Sequence, residues 1–216
     1  MKLAEGSKSW VLFCLVLGVF FLVLYLLFYG FETGVVFLFL MFLMFLFMFF
    51  LLVFFRDPER KTGDGLVAVA DGRIREIIDM KDEVVGGCVR VSTFMNVYNV
   101  HVNRMPIDGK VLELVHHSGF HLPAFRKESE KNERVVLIVD TRIGKIKIVL
   151  IAGTLARRIV PYVSVGDKLK KGDRIGIIRL GSRVDLYIPS KHVKNVMVKV
   201  GDMVKAGEDT VAEVNA

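Results

Sequence analysis

Two apolar runs stand almost back to back near the start of the chain. Val11 to Tyr29 spans 19 residues and Val35 to Phe55 spans 21, with only Gly30-Phe31-Glu32-Thr33-Gly34 between them. About 20 apolar residues in a helix cross the hydrocarbon core of a bilayer, so each run is long enough to span one. Five residues suffice for a tight helix–helix turn and for nothing larger, which predicts a transmembrane hairpin. Lys2 and Lys8 precede it, Arg56, Arg60 and Lys61 follow it, and the turn carries only Glu32. The positive-inside rule then puts both ends, and everything downstream, on the cytoplasmic side of the cell membrane. A signal peptide is the competing reading of the first run, but no small-residue cleavage site follows it and a second span arrives at once. Neither run contains Asp, Glu, Lys, Arg or His, so the hairpin reads as an anchor and not as a transport path. The nine phenylalanines between Phe37 and Phe55 fit a lipid-facing helix.

The anchor accounts for a hydrophobic content of 53%, too high for a soluble domain. Most of the net charge of +7 lies beyond it. A basic surplus suits an anionic partner, and behind a membrane anchor lipid headgroups are the economical choice. Nucleic acid is disfavoured because aromatic residues are not interleaved with Lys and Arg as a reading surface would require. Cys14 inside the anchor and Cys88 outside it form neither a disulfide framework nor a metal-ligand cluster, so no metal is expected.

After Asp57-Pro58 the pattern changes to short apolar stretches broken by glycine: 66–70, 84–91, 111–115, 135–139, 146–151, 175–180, 184–188 and 193–198. Their length and β-branching predict strands, with a helical turn only near Ser92–Asn96. The fold class is therefore mostly β: an anchor over 1–56, with spans 11–29 and 35–55, followed by one β domain over 57–216. Two internal repeats sharpen this. Val165-Gly166-Asp167 recurs as Val200-Gly201-Asp202, each with a second glycine six positions after the first, and Ala70-Asp71-Gly72-Arg73-Ile74 is echoed by Ile107-Asp108-Gly109-Lys110-Val111. Shared turn chemistry is the expected cause. These phrases resemble the barrel-sandwich folds of biotinyl and lipoyl carrier domains.

Leu180-Gly181-Ser182-Arg183-Val184-Asp185, together with VHVNRMP at 100–106 and Ala70-Asp71-Gly72, points further. In this order, behind a hydrophobic anchor, these segments resemble the short form of the phosphatidylserine decarboxylase family, whose archaeal members act on archaetidylserine. The likeness covers essentially all of 57–216. It implies a carbon–carbon lyase that turns a serine phospholipid into the ethanolamine phospholipid and CO2. Decarboxylation leaves an electron pair on the α-carbon that no ordinary side chain can accept, so a carbonyl electron sink is needed. The resemblance implies a covalent pyruvoyl group made from Ser182 by self-cleavage after Gly181, giving fragments 1–181 and 182–216, and bonded to the substrate amine during turnover.

By the same resemblance His101 and Asp71 complete a serine-protease-like set with Ser182, and His101 protonates the product carbon. Longer members carry a second histidine where this chain has Arg104, and a small hydroxyl residue where it has Arg183. Arg157, Arg158 and Arg104 are candidate contacts for the substrate phosphate, since guanidinium forks suit phosphate oxygens. The segment 117–134 departs from strand pattern, and its apolar half is a candidate lipid contact beside the site. Partners are then the phospholipid and the membrane, with the processed fragments held as a heterodimer and homo-oligomerisation left open. The alternative of another class is a membrane-anchored barrel-sandwich carrier or adaptor without enzymatic activity. Carriers place a modifiable lysine at a hairpin tip and adaptors insert a long coiled coil, and this sequence has neither.

Overall fold

Helix α1 spans Lys8–Leu27 and α2 spans Glu32–Phe54 in a computed structural model that describes residues 2–120, 131–153, 159–179 and 182–215. Each helix begins three residues before the apolar run that predicts it. Its first turn takes in polar residues, and Glu32 is favourable there because the N-terminal end of a helix dipole attracts a carboxylate. Gly30, at φ +92°, lies in the connection, and a side chain on Gly34 would stand 2.6 Å from the Phe28 carbonyl oxygen. Only glycine permits so close a turn. Gly18 plays the corresponding part between the helices, where the Phe45 ring lies 3.2 Å from where its Cβ would be. Outward residues such as Leu12, Phe13, Phe39 and Phe49 are exposed. Both helices are long and apolar enough to cross a membrane.

The chain divides into two units, Met1–Pro58 and Glu59–Ala216. The second is built of fourteen strands among its described residues: β1 (Leu66–Val67), β2 (Gly72–Asp82), β3 (Gly86–Met95), β4 (Val102–Arg104), β5 (Gly109–His117), β6 (Arg134–Thr141), β7 (Gly144–Ala152), β8 (Ile159–Pro161), β9 (Lys168–Leu169), β10 (Arg174–Ile178), β11 (Ser182–Pro189), β12 (Val193–Val196), β13 (Met203–Val204) and β14 (Thr210–Val214). A curled eight-stranded sheet runs in the order β13-β2-β3-β11-β7-β6-β5-β9, accompanied by two three-stranded sheets, β1-β14-β12 and β4-β10-β8. Every pairing between these strands is antiparallel among the described residues. The expected class, mostly β behind an apolar helical hairpin, is the observed one.

Two of the sequence-based expectations change. Ser92–Asn96 is not a helical turn, because Ser92 to Met95 continue β3 and pair with β11. Strand β2, the longest in the unit, was not anticipated beyond its opening Asp-Gly turn. Its sequence GRIREIIDMKD is so charged that the apolar pattern fails, although Ile74 is fully buried between the exposed Arg73 and Arg75.

The phrase repeats report a two-fold internal symmetry. Ile74 donates to the Asp202 carbonyl (2.8 Å) and accepts from Gly201 N–H (2.8 Å), while Val111 makes the same two bonds with Asp167 (2.9 Å) and Gly166 (2.8 Å). Ala68 is joined to Asp209 and Gly207 as Met105 is joined to Asp173 and Gly172. Strand order obeys the same operation: β13-β2-β3-β11 mirrors β9-β5-β6-β7, and β1-β14-β12 mirrors β4-β10-β8. Even the register irregularities correspond, between Ile74 and Glu76 on β2 and between Val111 and Glu113 on β5.

Alternation along β11 sorts its side chains. Ser182, Val184, Leu186 and Ile188 share the face toward the main core with Leu137, Ile148 and Leu150. Arg183, Asp185 and Tyr187 take the other face, where Arg183 forks onto Asp185 (2.7 and 2.6 Å) and Tyr187 packs with Cys88, Val149 and Ile151. Lys147 binds Asp82 and sits 4.2 Å from the centre of the Tyr187 ring.

Candidate active site

Ser182 is the first residue of β11 and is fully buried. Its register partners are Met95, the last residue of β3, and Ala152, the last of β7. The hydroxyl donates to Met95 Sδ at 3.1 Å, and the same sulfur accepts from Asn103 Nδ2 at 3.7 Å. One thioether therefore links Ser182 to β4, the strand that follows His101. Sulfur is a weak acceptor, so this hydroxyl is held loosely enough to turn toward a better partner. On the other flank, Asn132 is buried and donates to the Ala152 carbonyl at 2.7 Å.

His101 is fully buried, and Nδ1 lies 2.8 Å from the Asn99 carbonyl oxygen. A carbonyl can only accept, so Nδ1 carries the proton and Nε2 of the neutral ring is the basic nitrogen. The turn that aims this carbonyl is self-tied: Asn99 donates its N–H to the Asn96 carbonyl (2.9 Å), while its side-chain Oδ1 accepts from Asn96 N–H (2.8 Å). The backbone of His101 is joined to the Ile178 N–H (3.4 Å), a few residues before Ser182.

Asp71 precedes β2 and is buried. Val67 N–H donates to Pro106 O (3.0 Å) and Arg104 N–H to Val69 O (2.8 Å). These bonds lay the segment before Asp71 along β4, and Arg73 pairs with Phe94, the neighbour of Met95, so Asp71 enters β2 at the end of the sheet where Met95 meets Ser182. Gly72 makes the approach to β3 possible, since a Cβ there would lie 2.1 Å from the Phe94 carbonyl oxygen. The Asp71 carboxylate takes both ends of the Arg60 guanidinium, at 2.5 and 2.8 Å, and the Ala206 N–H at 2.8 Å. Burial alone would lower the Arg60 pKa, but the bonds to Asp71 together with the negative charges of Asp71, Glu208 and Asp209 outweigh it and raise it.

The chain thus brings Ser182, His101 and the Asp71 backbone to one end of the sheet. Arg104 is buried, donates to the Gly172 carbonyl (3.0 Å) and packs on Gly207, whose added Cβ would lie 2.9 Å from Arg104 Cδ. Gly181, Arg157, Arg158 and most of the apolar part of 117–134 lie outside the described residues. Sequence reasoning missed Arg60 and Met95 as parts of the site, whereas Asn99 and Asn103 stand out in the sequence as polar neighbours of His101. Asn103 stands in the motif that contains His101 and Asn99 immediately precedes it, but nothing local marks Met95 or Arg60.

The sequence profile of the phosphatidylserine decarboxylase family matches residues 47–212. A phosphatidylserine decarboxylase proenzyme of Streptomyces griseus is 51% identical over 157 residues, covering 72% of this chain and 70% of its own. A protein of Methanococcoides burtonii, provisionally named archaetidylserine decarboxylase proenzyme, is 42% identical over 215 residues, covering 98% of this chain and 96% of its own. One from Thermobifida fusca, a phosphatidylserine decarboxylase proenzyme, is 47% identical over 156 residues, 72% of this chain and 69% of its own.

Proposed function

Because the chain belongs to the phosphatidylserine decarboxylase family, we propose that it converts a serine phospholipid, with ester- or ether-linked tails, into the ethanolamine phospholipid and CO2. It does so after cutting itself between Gly181 and Ser182 into fragments 1–181 and 182–216, which stay together as a heterodimer. The observation that carries this reading is the fully buried Ser182 hydroxyl on a weak sulfur acceptor, linked through that sulfur to the strand after His101.

In self-cleavage the Ser182 hydroxyl attacks the carbonyl before it while His101 takes the proton at Nε2. The amide becomes an ester. Loss of the Ser182 α-proton then expels the Gly181 carboxylate, and hydrolysis of the resulting dehydroalanine releases ammonia. Ser182 is fully buried between its strand neighbours Met95 and Ala152, and a pyruvoyl group is close in size to the side chain it would replace there. Once formed, it supplies the carbonyl electron sink. His101 then returns a proton to the substrate α-carbon. Asp71 stabilises the charge that develops on the imidazole, and Arg157 and Arg158 meet the phosphate. The helical hairpin holds the β unit at the cytoplasmic face of the membrane, where the lipid substrate lies.

The test is covalent. Purified protein incubated with a serine phospholipid and a hydride reductant should carry lipid mass on the fragment beginning at 182, with activity lost. A lipid without a primary amine should leave no mark. Labelling of a lysine such as Lys191, or a requirement for added pyridoxal phosphate, would overturn the assignment.

A further inference from the structure

Arg60 belongs to none of the motifs, yet only 7% of its side chain is exposed and its guanidinium spans both oxygens of Asp71. Nη1 also donates to the Ala206 carbonyl at 2.8 Å, and Glu208 lies 3.9 Å from Nε. The internal symmetry supplies a control within the same molecule. Asp108 is the counterpart of Asp71 and performs the same backbone task, accepting Lys171 N–H at 2.7 Å as Asp71 accepts Ala206 N–H at 2.8 Å. It is exposed and, among the described residues, has no ion-pair partner. Tying down this turn therefore requires a carboxylate and no arginine. Burying an ion pair carries a desolvation cost, so the guanidinium serves something that Asp71 does and Asp108 does not.

We propose that Arg60 is a positioning residue for self-cleavage, clamping Asp71 as an oriented anion beside the strand that follows His101. Three of about four lone-pair sites on the carboxylate are taken, two by Arg60 and one by Ala206, which leaves one on Oδ2. A fixed anion so placed favours the imidazolium that forms when His101 takes the Ser182 proton, without reorganising at the moment of reaction. The proposal rests on the self-cleavage reading given above.

Full-length protein made by cell-free synthesis with lipid vesicles, sampled over time on denaturing gels, tests it. Arg60→Ala should slow cleavage at least tenfold, on the order expected when a buried oriented charge is released. Millimolar guanidinium should restore part of the rate, and the same concentration of sodium chloride should not. Arg60→Lys should fall between wild type and Arg60→Ala, because it keeps the charge and loses the fork. Asp108→Asn should cleave at the wild-type rate. Wild-type or faster cleavage by Arg60→Ala, or no response to guanidinium, overturns the proposal. Should Arg60→Ala fail to fold, wild-type cleavage by Arg60→Lys overturns it alone. A Ser182→Ala chain that still splits sinks the self-cleavage reading instead, and so separates the two failures.

Discussion

The two symmetry-related halves of the β unit share strand order and turn hydrogen bonds, and one difference between them bears directly on Ser182. In one half β6 runs into β7 through Arg142-Ile143, with Thr141 opposite Gly144. The corresponding pair in the other half is Met95 opposite Ser182, and there the chain is not continuous. Strand β3 leaves into the segment that delivers His101, while β11 arrives from β10. Beside the closed hairpin, Gly65, Ile107, Asp108, Arg142 and Lys171 line an open cavity of about 260 Å³. Beside the interrupted one lie the buried Ser182 and the clamped Asp71. Opening one hairpin of a repeated scaffold thus frees a strand end, and a strand end can hold a reactive hydroxyl that a two-residue turn would not.

The largest effect should come from chemistry confined to the open half. Ser182→Ala should leave a single full-length chain on a denaturing gel at all times. His101→Ala should slow cleavage roughly 100- to 10,000-fold, the usual contribution of a general base. Normal cleavage with loss of decarboxylation would restrict His101 to the second reaction.

Matched glycines compare the halves next. Gly72→Ala would set a Cβ 2.1 Å from the Phe94 carbonyl oxygen, and Gly109→Ala would set one 2.6 Å from that of Asp140. Both are overpacking changes, costing about 3 and about 2 kcal/mol respectively. Thermal melting should rank them in that order, and only Gly72→Ala should also slow cleavage. Equal effects on cleavage would mean that the halves are not functionally distinct.

A smaller change tests the sulfur. Met95→Leu keeps core volume and removes the acceptor of Ser182 Oγ, so stability should fall by less than about 1.5 kcal/mol while the cleavage rate changes several-fold. An unchanged rate would reduce Met95 to packing.

The smallest effect lies on the face opposite Ser182. Burial raises the Asp82 carboxyl, but the bond from Lys147 and the N–H groups of Val84 and Val85 outweigh it and hold it below its usual range. A depressed carboxylate adds stability above its unfolded pKa, and that increment is lost as pH falls through the folded value. Urea midpoints of wild type should therefore drop below about pH 4, and Lys147→Met should flatten that drop while lowering the midpoint at pH 7. A steeper acid loss in the variant would contradict this account.

Much of this was legible before any coordinates. The hairpin follows from two apolar runs whose length matches a bilayer, and most strands follow from β-branched stretches between glycines. Ser182, His101 and Asp71 stand in recognisable phrases, and the Val-Gly-Asp and Asp-Gly echoes already announced a repeat. These are local signals, set by side-chain type and by what a turn demands of its backbone. Tertiary structure decided the rest. Strand β2 hides its pattern because its partners, and not its own composition, bury Ile74. Likewise Met95 and Ser182 meet only through pairing of distant strands, and Arg60 reaches Asp71 only because the turn at Ala206 folds onto both. A contact between residues far apart in the chain leaves no periodicity behind, so the clamp on Asp71 and the sulfur beneath Ser182 become visible only once the two halves are folded side by side.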